Sequence, residues 1–183
     1  ITSEGIKKLS ILELLLGNHY LSANSVIIID EIEANLHPSI YMEYDGLQAL
    51  NHKLQAKYAT VVANEQRSEE LYTDDAELVI VAYGICSRVA AGAIEQLRAE
   101  GYKVGMLRPQ MVWPFPSDAL MKIATNGKCK GFLSVELSAG QMIEDVRLAI
   151  ECKKPVHLYN RMGGNVPSCD EVVEAAKKVL KEI

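Results

Sequence analysis

An open α/β fold, with a mostly parallel sheet and helices on both of its faces, is predicted over residues 74–183. Two observations carry that expectation. Four short apolar runs, Leu78–Tyr83, Lys103–Leu107, Gly131–Glu136 and Pro155–Tyr159, are bounded by charge, glycine or proline, as strands buried on both faces of a parallel sheet are. Stretches of helical spacing separate these runs, which is the pattern of right-handed strand–helix–strand crossovers. The central unit is Ala76–Gly101. Gly84 breaks its strand, Ser87 is placed to cap a helix, and Val89, Ala90, Ala93, Ile94 and Leu97 form that helix's apolar face before Gly101 ends it.

The chain's 183 residues suit one α/β domain, or one with a large appendage. Hydrophobic content of 49% and charged content of 23% are ordinary for a globular chain. A net charge of −5, with no basic stretch to offset it, argues against a nucleic-acid surface. Cys86, Cys129, Cys152 and Cys169 lie 43, 23 and 17 positions apart, so no CxxC spacing suggests a metal site. Thiols on expected strands and helices, with no signal peptide, suggest a reducing cytoplasm. No apolar run reaches membrane-spanning length. A chain that begins at Ile1 reads as a fragment or a processed piece.

In chain order, Ser3-Glu4-Gly5 opens an amphipathic helix closed by Gly17, and Ser25–Asp30 is a strand ending in Asp30-Glu31. The string SVIIIDEIEANLHP resembles the Walker B and D-loop segment of ABC-type and related AAA ATPases, and Ser3–Gly5 resembles their signature motif. That resemblance implies that Asp30 would hold Mg²⁺ through water and Glu31 would polarise the attacking water. Ser3 and Gly5 would touch a γ-phosphate on a partner subunit, and His37 would lie in the following loop. It covers only residues 1–38, and no GxxxxGK[ST] cradle occurs in the chain. The favoured reading is a helix and strand with unused acids.

Residues 40–73 read as a helical connector with a seam of Leu47, Leu50, Leu54, Tyr58, Val61 and Val62. After the second strand, Arg108–Pro116 carries three prolines, the only Trp and one of the two Phe, which makes a stiff loop. Ser117 would cap a helix over Asp118–Ala124. Ser138-Ala139-Gly140-Gln141 would open a helix through Ile150, and Ser168 would cap Glu171–Leu180 after the Gly163-Gly164 loop.

The carboxyl ends of these strands would gather Ser87, Arg88, Arg108, Glu136, Ser138, Gln141, Arg161, Gly163 and Gly164. Helix N-termini and arginines favour a phosphate or carboxylate. The competing reading has the arginines paired with Glu136 and neighbouring chains, and it is preferred. No nucleophile–base pair is apparent, so no catalytic residue and no metal ligand is assigned. His19, His37, His52 and His157 are scattered, and Cys86 reads as a small buried hydrophobe.

The strings TDDAELVIVAYGICSR, AEGYKVGMLRPQMVWPFP, GFLSVELSAGQMIEDVRLAI and NRMGGNVPS resemble, in order and spacing, the α subunit of 2-oxoacid:ferredoxin oxidoreductases of the 2-oxoglutarate and 2-ketoisovalerate type. The match, over about 42–183, is to that subunit's transketolase C-terminal-like domain. The resemblance implies oxidative decarboxylation of a 2-oxoacid to an acyl-CoA with reduction of ferredoxin. The complete enzyme would use thiamine diphosphate, coenzyme A and iron–sulfur clusters. The family's pyrimidine-contacting N-terminal domain, a GDG…N motif and cluster cysteines are absent from the sequence, so this chain alone is expected to bind none of these cofactors. Its expected role is assembly, with Trp113, Pro114, Phe115, Pro116, the Ser138–Met142 turn and Met162 packing on β and γ subunits or a paired copy. A junction near Ser39–Glu43 reads as a fusion, a misassembly or an engineered chimera. An ATPase-related or purely structural module is the alternative.

Asp30 and Glu31 without a phosphate cradle should give no ATP or Mg²⁺–ATP binding in the micromolar range. Titration calorimetry checks this, and binding that Glu31→Gln abolishes would contradict it.

Overall fold

A computed structural model of the chain describes residues 44–183. The chain divides into two compact units, 1–57 and 58–183. The ATPase-like motifs, with Ser3, Gly5, Asp30, Glu31 and His37, lie outside the described residues. Helix α1 (Tyr44–Asn64) is followed by β1 (Ser68–Leu71), β2 (Leu78–Ala82), α2 (Gly84–Ala99), β3 (Val104–Pro109) and α3 (Ser117–Thr125). The chain continues through β4 (Gly131–Glu136), α4 (Met142–Ala149), β5 (Val156–Asn160) and α5 (Cys169–Glu182).

The sheet has five strands in the order β1-β3-β2-β4-β5, with β2 at its centre. Strands β2, β3, β4 and β5 pair in parallel. Only β1 runs antiparallel, with Ser68 opposite Pro109 and Leu71 opposite Met106. The expected α/β architecture is therefore the observed one, with a short antiparallel strand added at one edge. That strand lies inside the stretch whose composition reads as helical. At four residues, with a half-exposed, acid-rich SEEL sequence, it gives no alternation long enough to compete with the helical reading.

Burial on both faces explains the continuous apolar character of β2. Leu78, Ile80 and Ala82 pack with α2 and α5 in one cluster, including Ile94, Leu97, Val172 and Val179. Val79 and Val81 face the other way, onto Leu120 and Ile123 of α3, Val146 of α4 and Ile150 just beyond it, with Phe132. Each fully buried Leu, Ile or Phe is worth about 1.5–3 kcal/mol of transfer free energy, so these two layers dominate the fold's stability.

Polar pins set the approaches to the strands. Arg98, in the last turn of α2, donates from Nε to the Val104 carbonyl at 2.8 Å and from Nη2 to the Tyr72 carbonyl at 3.0 Å. It also pairs with Asp75 at 2.7 Å, and its guanidinium lies 4.5 Å from the Tyr72 ring centroid. This one side chain fixes the turn from β1 into β2. Its hydrogen bond holds the Asp75 carboxyl below the usual range. Helix α3 begins at Ser117, and the Ser117 side chain does not cap it. Gln66 does so from a distance: its Oε1 accepts from the Asp118 amide at 3.0 Å while its Nε2 donates to the Asp118 carboxylate at 3.0 Å. Ser168 caps α5 as expected, in a capping box with Glu171.

Gly105 is where β3 meets the β1–β2 turn. A Cβ there would stand 2.5 Å from the Tyr72 carbonyl oxygen and 2.9 Å from that of Leu71, and backbone atoms cannot yield as a flexible side chain does. Gly105→Ala should destabilise the chain by about 1–3 kcal/mol, the usual cost of overpacking. Urea unfolding measures it, and a loss within experimental error would contradict the close approach.

Candidate functional site

Ligands of open α/β sheets bind outside the carboxyl ends of the strands. That edge is built here from four loops. After β2, Gly84 takes a positive φ of 58°, which turns the chain directly into α2. The helix thus starts before Ser87, and Ser87 lies within its first turn. Ser87 is buried, and its hydroxyl donates to the Gly84 carbonyl at 2.8 Å. It caps nothing and presents no donor to a ligand. Arg88 is exposed and forms no ion pair among the described residues.

After β3, Arg108 pairs across the antiparallel ladder with Glu69 at 2.7 Å, and Gln110 donates to the other oxygen of that carboxylate at 2.7 Å. The Nε of Arg108 is buried without a partner. In the proline–aromatic loop the side chains divide. Pro114 and Pro116 are buried, and Phe115 is half-buried against the α3/α4 cluster. Trp113 is 54% exposed and meets the Tyr58 ring edge-to-face at 5.7 Å. The prolines and Phe115 anchor the loop; Trp113 stands on it.

After β4 comes the most ordered polar cluster of the edge. Glu136, the last residue of the strand, is only 2% exposed. Its Oε2 accepts from the Ser138 hydroxyl at 2.6 Å and from the Gln141 and Met142 amides at 3.0 and 2.8 Å. Oε1 lies 3.4 Å from both the Ile143 amide and the Ser134 hydroxyl. The carboxylate thus satisfies the first amides of α4, which have no intrahelical partner, and its charge suits the positive end of the helix dipole. Ser138 serves this carboxylate and does not cap the helix, which begins at Met142.

After β5, Asn160 donates to the Ser138 carbonyl at 2.7 Å, and the Arg161 amide donates to the Glu136 carbonyl at 3.2 Å. The Arg161 guanidinium pairs with Glu171. A hydrogen bond with Tyr159, reinforced by the Glu171 charge, raises the Arg161 pKa further. Gly163 and Gly164, with φ of 72° and 77°, are exposed and have nothing within 4 Å of an added Cβ. Met162 is 64% exposed.

The residues the sequence groups as an anion site are therefore not one cradle. Arg108 and Arg161 each hold a carboxylate, but from Glu69 and Glu171; Glu136 is held by amides and hydroxyls instead of arginines. The sequence pattern gives no sign of Glu69 or Gln66 at this edge, and it places Tyr58 only in the seam of the helical connector. Glu69 becomes recognisable as a partner only once SEEL is seen as a strand, where it stands opposite Arg108. His157 is half-buried on β5, with Nδ1 3.5 Å from Glu182. Among the described residues, no three His, Cys, Asp or Glu side chains come together as a metal site, and no helix is long and apolar enough to cross a membrane.

Residues 76–172 match the family model of the pyruvate:ferredoxin oxidoreductase core domain II. The chain belongs to this family. Ketoisovalerate oxidoreductase subunit VorB of Methanothermobacter thermautotrophicus is 50% identical to it over 149 residues, 81% of this chain and 42% of that protein. The 2-oxoglutarate synthase subunit KorA of Methanothermobacter marburgensis is 31% identical over 102 residues, 56% of this chain and 27% of that one. The chain thus spans less than half the length of these curated relatives.

The core domain II fold recurs in solved structures. One is a 2-oxoglutarate:ferredoxin oxidoreductase from Magnetococcus marinus with 2-oxoglutarate, coenzyme A and succinyl-CoA bound (TM-score 0.58, 24% identity, covering 70% of this chain and 23% of that one). A split-gene transketolase, an inactive β4 tetramer, also matches (TM-score 0.53, 20% identity, covering 63% of this chain and 41% of that one). At these identities the likeness concerns the fold, and it agrees with the transketolase-like architecture expected.

All four cysteines of this core domain II chain are free. Burial pushes the Cys129 thiol up to about 11, and burial with the nearby Glu136 charge raises that of Cys86. Raised native values mean that the unfolded chain loses these protons first. The stability they confer is full below the ordinary thiol pKa and is lost as pH rises through the native value. Between about pH 9 and 11, wild-type stability should fall more steeply than that of Cys129→Ala, as denaturant midpoints across that range would record. Parallel slopes would contradict the assignment.

Proposed function

We propose that this chain is the core domain II portion of a 2-oxoacid:ferredoxin oxidoreductase subunit, of the type the sequence resembles as α, and that it serves assembly. The whole enzyme would decarboxylate a 2-oxoacid oxidatively to an acyl-CoA and pass the electrons to ferredoxin. Thiamine diphosphate, coenzyme A and iron–sulfur clusters would supply that chemistry from other parts of the complex. The match over residues 76–172 and the 50% identity to VorB support the family part of this reading.

Iron–sulfur clusters require gathered thiolates. Cys86 and Cys129 are buried with raised pKa values, Cys152 is exposed and Cys169 is partly buried, so the described residues do not fit a cluster. The four free thiols accord with a reducing compartment, and the cytoplasm is the location proposed.

The observation that carries the assembly role is the division of the proline–aromatic loop. Trp113 is exposed while the prolines on its C-terminal side are buried. An aromatic ring already fixed by its backbone loses little entropy on docking, and Trp is enriched among the residues that carry interface energy. Tyr58, 41% exposed, extends the same surface. The proposed occupant is another subunit of the oxidoreductase complex, the cofactor-bearing β subunit first among them.

Trp113→Ala should weaken binding to the β subunit by about 2 kcal/mol, roughly 30-fold in Kd. The melting temperature should move little, because what the isolated chain loses is one exposed edge-to-face pair. Affinity measured by interferometry beside thermal denaturation reads both. A destabilised chain with unchanged partner affinity would overturn the assembly reading.

A further inference from the structure

Strand β5 borders the sheet and pairs only with β4. The Phe132 amide donates to the Pro155 carbonyl at 2.9 Å, and the Arg161 amide to the Glu136 carbonyl at 3.2 Å. Successive residues of a strand turn their amides and carbonyls to opposite sides. Pro155, His157, Tyr159 and Arg161 therefore address β4, while Val156, Leu158 and Asn160 address the outside. Arg147 takes the Val156 carbonyl at 3.3 Å. The Leu158 amide and carbonyl, at the middle of the strand, have no partner among the described residues.

Sheets ordinarily guard such a border with short strands, charge or proline. β1, at the opposite border, does so with four residues of which two are acidic. The sequence of β5, VHLYN, has no acid, lysine, arginine or proline. Beside it runs a groove of about 630 Å³ against α5, lined in part by apolar Leu133, Ala175 and Val179. Asp170, Glu174, Lys178 and Glu182 of α5 also line it, each four positions after the last. The ion pairs of α5 use Glu171, Lys177 and Glu182. Asp170 and Glu174 have none among the described residues.

We infer that the outer side of β5 takes an extended, basic segment of another protein chain as a sixth strand. Main-chain hydrogen bonds to Leu158 would hold it, and its lysines or arginines would meet the α5 carboxylates. The step lengths agree. Four residues of a helix rise about 6 Å, and alternate residues of a strand lie about 6.6 Å apart, so one basic residue in two keeps pace with the row. A second copy of this chain fits less well. Two β5 strands related by a two-fold would set the two acidic rows side by side, like charge to like. This surface shares no residue with the one that displays Trp113, so the inference stands apart from the assembly reading.

The test uses the full chain and a capped peptide in which lysine and valine alternate. Amide NMR signals of β5 and α5 are followed as the peptide is added to millimolar concentration. Saturable shifts at Leu158 and Glu174 are expected, with hydrogen-exchange protection of the Leu158 amide that the free chain lacks. Their absence would overturn the inference. A glutamate–valine peptide should leave the signals in place, and a lysine–proline peptide, with equal charge and fewer amides to donate, should bind more weakly. An equal response to either control would overturn the inference. Glu174 is exposed, so Glu174→Lys should keep the fold, checked by its melting temperature, and weaken lysine–valine binding about fivefold; unchanged affinity would contradict the assignment. So would a Leu158 amide already protected in the free chain, whether by the chain itself or by a second copy.

Discussion

The Glu136 carboxylate at the start of α4 is the interaction on which the carboxyl edge of this fold depends. A carboxylate buried at 2% exposure is costly unless its lone pairs are filled. Here amides and hydroxyls fill them, so the charge is held by the helix terminus that most favours it. The same residue is the last of β4, and its own carbonyl accepts the Arg161 amide. Side chain and backbone together therefore tie the loop after β4 to the loop after β5, and Asn160 closes the link through the Ser138 carbonyl at 2.7 Å.

Around that fixed edge the loops differ in what they offer. The β5–α5 loop ends in exposed Met162, Gly163 and Gly164, and its base is held by Arg161 on Glu171. The β3–α3 loop is anchored by buried prolines and displays Trp113. Both place exposed apolar side chains, Trp113 and Met162, on bases held by the fold.

The sheet was legible in the sequence wherever burial is two-sided. Strands such as Leu78–Ala82 must be apolar at every position to face helices on both sides, and that writes itself as an uninterrupted run. Ser168 was legible too, because both halves of its capping box are local. The other serine caps were not. Ser87 was displaced by the positive φ that Gly84 allows, which starts the helix early. Ser117 yielded to Gln66, 52 positions from the amide of Asp118 that it caps, and Ser138 yielded to Glu136. The arginine pairs failed to show for the same reason: Glu69 lies 39 positions from Arg108, on an edge strand too short and polar to announce itself. Local patterns report what faces the core, whereas the chemistry of this edge comes from partners that only the folded sheet brings together.

The central claim is that one buried charge organises the edge, and amide hydrogen exchange measures it most directly. In Glu136→Gln, a side chain of the same shape but without charge, protection of the Met142 and Arg161 amides should fall while that of the β2 amides from Leu78 to Ala82 stays at the wild-type level. Equal protection at Met142 and Arg161 in both proteins would contradict the account, because the edge would then be held by backbone geometry alone.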